Sequence, residues 1–164
     1  MSFDGLEVDM LTLGDADCIL VTRWGGGTAT RVLVDGGNAG DVDTVRLFLK
    51  IRGVKMIEHV VCSHPHDDHA AGLLELLKDT QFSVGRLWVH QPWLHIDSTV
   101  MMRAWGQRGV QRTTAMLRKS VETQLAVVKA AQARSIPFDL EPLAGQHVGP
   151  LFVCGPSKEF YEAM

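Results

Sequence analysis

Polar and apolar positions alternate from Leu6 to Leu13, with Leu6, Val8 and Met10 on one side and Glu7 and Asp9 on the other. A period of two predicts an edge-like strand with one wet face. Cys18 to Thr22 and Thr30 to Val34 are two further strands. The turn from Trp24 to Thr28 joins them into a hairpin. From Asp41 to Arg52 the period changes. Val42, Val45, Leu47, Phe48, Leu49 and Ile51 form a broad apolar face on a helix that Gly53 ends. Ile57 to Cys62 is short, β-branched and apolar, which predicts a buried strand. Ala70 to Lys78 is helical in pattern and opens with Asp67 and Asp68. Val84 to His90 predicts a strand, Thr113 to Ser135 a long helix, Gln146 to Cys154 a strand, and Lys158 onward the start of a helix.

The 164 residues suit one domain with a sizeable core. Hydrophobic residues at 46% and charged residues at 21% are ordinary for a globular chain. No apolar run is long enough to span a bilayer, and the first residues lack a secretory pattern, so a cytoplasmic protein without membrane contact is expected. Cys18, Cys62 and Cys154 are odd in number and set in apolar runs, which predicts reduced core residues rather than disulfides. A net charge of −3 argues against a nucleic-acid binder. The stretch from Ser98 to Val121 differs: it carries Arg103, Arg108, Arg112, Arg118 and Lys119 and no acid. Such a run is a solvated face or lies near an anion such as a phosphate group.

The chemistry concentrates directly after the apolar run 57–62, in Ser63-His64-Pro65-His66-Asp67-Asp68-His69. Pro65 biases His64 to an extended conformation, so His64 and His66 can face one point. Asp68 and His69 sit at the strand-to-helix corner beside them. Imidazole nitrogen and carboxylate oxygen are ligands that zinc accepts, and iron or manganese accept similar sets. A lone histidine at a helix start is usually a cap or a surface group; three with an aspartate at this spacing point to metal. Asp67 reads as a solvated first-turn acid.

The motif His64-x-His66-x-Asp68-His69 resembles the signature of the metallo-β-lactamase-fold hydrolases. The segments Asp15 to Val21 and Arg31 to Gly37 are similar to the family's opening strands. The likeness is nearest to the branch with the hydrolase domain of ComEC-type competence proteins, and Val153 to Glu159 resembles a segment midway through those domains. The resemblance implies an α/β fold, an αββα sandwich of which this chain is the amino-terminal half to two-thirds. It implies a single incomplete domain over 1–164, and hence self-association or a partner chain to cover the exposed sheet.

The resemblance also implies a hydrolase with two Zn2+ per intact site, Mn2+ or Fe being alternatives. His64 and His66 would hold one metal. Asp68 and His69 would hold the other, with Asp68 also orienting the nucleophile. A phosphodiester is the expected substrate class; a lactam or thioester hydrolase, or a non-catalytic metal-binding or interaction module, is the alternative. Asp17 and Asp35 would support the site from behind, or simply form turns. Cys62, His90 and His95 are weaker ligand candidates, and Trp93 lines a pocket or packs. The remaining ligands of a two-metal site are not evident; His147 is the one late histidine, and its setting does not match.

Overall fold

A computed structural model describes the backbone of residues 4–95 and 111–163. Five strands form one sheet in sequence order: β1 (Gly5–Met10), β2 (Ile19–Gly25), β3 (Thr28–Val34), β4 (Met56–Cys62) and β5 (Ser83–Val89). β1 pairs with β2 and β2 with β3 antiparallel, and β4 joins β3 and β5 in parallel. The parallel pairs need crossovers. Helix α1 (Val42–Ile51), entered through a 3-10 turn at Ala39–Asp41, supplies the first and α2 (Asp67–Lys78) the second. Helix α3 (Gln111–Ala133) packs on α2. Beyond β5, residues 137–140 extend the edge, since Leu87 N–H donates to Pro137 and Trp88 bridges Leu140.

The hairpin strands are longer than the alternation predicts, because the turn is only Gly26-Gly27. Both glycines have positive φ, 58° and 79°, as a tight two-residue hairpin turn requires. The core lies between the sheet and the helices, where Leu20, Leu33, Leu49, Val60, Leu73, Leu77, Leu87 and Val127 are all fully buried. Arg134 closes one end. Its guanidinium donates to the carbonyls of Leu77 and Asp79, at the end of α2, and of Phe82, just before β5.

Several expectations change in three dimensions. The charged side of β1 faces the helix layer, where Glu7 and Asp9 pair with Arg52 just past α1. Its apolar side is the wetter one: Leu6, Val8 and Met10 are 52%, 54% and 73% exposed. They continue the second face of the sheet, where Val21, Val32, Val61 and Trp88 are covered by Leu140, Val148, Leu151 and Val153. That cover does not extend over β1. The predicted strand over 146–154 is instead a hairpin, β6 (His147–Val148) and β7 (Leu151–Phe152). Gly149, at φ 57°, turns it, and a Cβ there would press on His59 and Val32. A last helix, α4, spans Lys158–Ala163.

Cys18 and Cys62 are buried and free, as expected, but Cys154 is exposed. No helix among the described residues is long and apolar enough to cross a membrane. Arg103 and Arg108 lie outside the described residues, as does the side chain of Arg112.

Candidate metal centre

The site forms where β3, β4 and the first turn of α2 meet. β4 ends at Cys62, and the chain reverses through Ser63 to His66. His66 has extended backbone, φ −70° and ψ 150°. Its carbonyl accepts from the N–H groups of His69 and Ala70 to begin α2. The end of β3 presses against this turn from the other side. Gly36 N–H donates to the His69 carbonyl at 2.9 Å, and Gly72 N–H to the Gly37 carbonyl at 2.8 Å. No side chain fits between them. A Cβ on Gly72 would lie 1.8 Å from the Gly36 oxygen, and one on Gly36 would lie 2.4 Å from Leu73 N. The glycines of Asp35-Gly36-Gly37 and the glycine within α2 therefore let the strand end reach the motif helix backbone to backbone.

That approach brings Asp35 beneath the histidines. Asp35 is 3% exposed and has left-handed backbone, φ 59°. Its Oδ1 accepts from Ser63 N–H at 2.8 Å. Its Oδ2 accepts from the Ser63 hydroxyl at 2.5 Å and lies 2.9 Å from His69 Nδ1. A carboxylate can only accept, so His69 Nδ1 carries the proton and Nε2 is left as a free lone pair. The single Ser63 proton is spent on Asp35. Ser63 Oγ thus accepts from His64 Nδ1, 3.0 Å away, and His64 Nε2 is freed in the same way. One buried carboxylate sets the tautomers of two imidazoles.

The rings converge: the His64 centroid is 3.7 Å from that of His69 and 4.9 Å from that of His66. His64, His66 and Asp68 each offer a donor atom within 4.8 Å of the others, as do Asp35, His64 and His69. Asp35 is already engaged on both oxygens, whereas Asp68, with 40% of its side chain exposed, has one oxygen 3.5 Å from His69 Nε2. Burial pushes the His64 pKa below its ordinary value of 6.5, and the adjacent His69 adds to the push. A neutral imidazole is the form that binds metal. Three imidazoles and one carboxylate, partly open to solvent and two of them held from behind, fit a divalent cation.

The other candidates fall elsewhere. Asp17 Oδ2 stands 3.7 Å from His69 Nε2, beyond hydrogen-bond reach, while its carbonyl accepts from Gly37 N–H. The Cys62 thiol is buried, and burial pushes its pKa up to about 12; it belongs to neither donor group. His95 pairs with Glu141 at 2.7 Å, and His90 lines a groove with Ser63 beneath the β6–β7 hairpin. Trp93 packs on the core. His147 stacks edge-on against Phe152, 5.2 Å between centroids.

Asp67 is not the solvated acid its position predicts. It forms an ion pair with Lys119 and accepts from Thr123 Oγ1 at 3.1 Å, both on α3. The Lys119 ammonium holds its carboxyl below the usual range. Sequence reasoning missed Ser63 and this cross-helix contact. Ser63 had a signal, lying directly before the first motif histidine; Lys119, fifty residues away, had none.

A family model described as the metallo-beta-lactamase superfamily matches residues 11–148. No curated protein matches. A solved structure from Thermotoga maritima, described as a candidate metallo-beta-lactamase, is similar at 13% identity and a TM-score of 0.46. The match covers 88% of this chain and 62% of that one, so the chain spans under two-thirds of that relative's length. The family match takes in the histidine motif, Asp35 and the strands that carry them, and the chain belongs to the metallo-beta-lactamase superfamily.

Proposed function

We propose that the chain is a metal-dependent hydrolase acting on phosphodiesters, with His64, His66, Asp68 and His69 as its ligand set. The convergence of His64, His66 and Asp68 within 4.8 Å, beside a His69 ring whose Nε2 is freed by Asp35, carries this reading. Zinc is the favoured metal, with manganese or iron as alternatives. Bound there, a divalent cation supplies Lewis acidity and lowers the pKa of a water toward neutrality.

The chain's own residues do the rest. Asp35 and Ser63 hold the two rings in the tautomers that present Nε2. Asp68, exposed at the rim, orients the attacking water. The basic character of the segment that ends in Arg118 and Lys119 favours an anionic substrate.

Metal analysis and turnover test this reading. The purified chain is expected to retain zinc and to hydrolyse bis-p-nitrophenyl phosphate, and His66→Ala is expected to lose both. A chain that binds no divalent metal would defeat it. Lactam or thioester hydrolysis is the rival within the same chemistry, and parallel assays with a cephalosporin and an acyl-glutathione separate them.

One observation favours a second reading. Among the described residues the other carboxylates at the corner are Asp17, beyond bonding distance of His69, and Asp35 and Asp67, both already engaged. A site with one weakly held metal and no turnover, serving as a binding module, would follow. Stoichiometry decides: about two tightly held metals support the hydrolase, one weak metal the module.

A further inference from the structure

We propose that Lys119 and Ser120 of α3 form the wall of the site that binds the non-reacting anionic oxygen of the substrate. Asp67 is the positioning residue that sets the Lys119 ammonium there. The inference rests on the hydrolase reading and adds to it the side chains that recognise charge.

A cavity opens between the motif corner and α3, lined by His66, Asp67, Asp68, Lys119 and Ser120. Two candidate ligands stand on one wall, a cation and a hydroxyl on the other. Residues 119 and 123 lie one helical turn apart on the same face. By engaging both, the Asp67 carboxylate fixes the rotation of α3 about its axis as well as its distance from the motif. Ser120 is only 9% exposed, and it lines this cavity. One turn further, Gln124 is 1% exposed with neither amide atom hydrogen-bonded. Gln124 is therefore a buried polar group short of partners, a costly arrangement in a core and a useful one beside a polar ligand.

The electrostatics suit an anion despite two carboxylates in the lining. Asp67 is spent on Lys119 and Thr123, and Asp68 belongs to the candidate ligand set. Lys119 has three N–H donors, and 70% of its side chain is exposed, so donors remain for a phosphoryl oxygen. An oxygen held there would sit beside His66 and Asp68, where the reacting group must lie.

The probe is inorganic phosphate, titrated into the zinc-loaded chain by calorimetry. Loss of one charge-assisted hydrogen bond in Lys119→Met is expected to weaken phosphate about tenfold with zinc content unchanged. Lys119→Arg is expected to restore most of the affinity, and Asp67→Asn to fall between. The KM for bis-p-nitrophenyl phosphate should rise in step. Phosphate binding by Lys119→Met equal to wild type, or no recovery with arginine, would overturn the proposal. Failure to take up zinc would instead defeat the hydrolase reading. The metal-free chain then decides the role of Lys119: a 15N resonance of Nζ that does not move with phosphate rejects it.

Discussion

Asp35 Oδ2 and His69 Nδ1 stand 2.9 Å apart, and the same oxygen accepts the Ser63 hydroxyl. An acid at the end of one strand thereby orients a ring on the helix that follows the next. Asp35→Asn keeps a residue tolerant of the left-handed backbone there but loses the pure acceptor. Its zinc affinity is expected to fall about 10- to 100-fold, as for other groups that hold a metal ligand from behind. Competition with a chromophoric chelator measures it, and wild-type affinity would refute the role.

Gly72 is a test of the backbone contact that seats the motif. Its added Cβ would lie 1.8 Å from the Gly36 oxygen, and neither backbone can yield without moving the other. Gly72→Ala is expected to destabilise by about 1–3 kcal/mol or more, despite the better helix propensity of alanine. Urea unfolding checks this. A variant as stable as wild type would mean that the strand end and α2 lie further apart.

His59 contributes a pH dependence of stability. It lies on the sheet face under the β6–β7 hairpin, and its Nδ1 accepts from Trp88 Nε1 at 3.2 Å, which requires the neutral ring. Burial, aided by Arg86 and opposed by Glu58, lowers its pKa from the ordinary 6.5. Below 6.5 the unfolded chain binds the proton that the folded one refuses. This contribution is therefore complete above pH 6.5 and is lost as the pH falls toward the lower folded value. His59→Gln should flatten that part of a denaturation profile between pH 7 and 5. A profile of unchanged slope would rule the contribution out.

The thiols should divide in two classes. Burial pushes Cys18 and Cys62 up to about 12, whereas Cys154 is exposed. Native protein is expected to react with Ellman's reagent quickly at one thiol per chain, and Cys154→Ser to abolish that fast phase. Two or more fast thiols would show that the core around β2 or β4 opens readily.

The histidine motif was legible because its chemistry is local. His64, His66, Asp68 and His69 are neighbours in the chain, so strand-then-helix geometry suffices to gather them. The strands and helices were legible for a similar reason, since their apolar periods repeat within each element. Where a local cue was ambiguous, reading along the chain failed. The run over 146–154 looks like one strand until Gly149 bends it over His59. On β1 the alternation is plain, yet which side is wet depends on Arg52, far along the chain, drawing Glu7 and Asp9 to the helix layer.

Taken by itself, the sequence determined the order of elements from β1 to the long helix α3 and the cluster of candidate metal ligands, because both follow from residues close enough in the chain to share one stretch of backbone. Only the tertiary structure decided that Asp35 and Ser63 set the ring tautomers, that Asp67 reaches Lys119, and which face of β1 meets solvent. Those outcomes depend on how packed layers align distant segments, and hydrogen bonds and ion pairs act over a few ångströms of space whatever the separation along the chain.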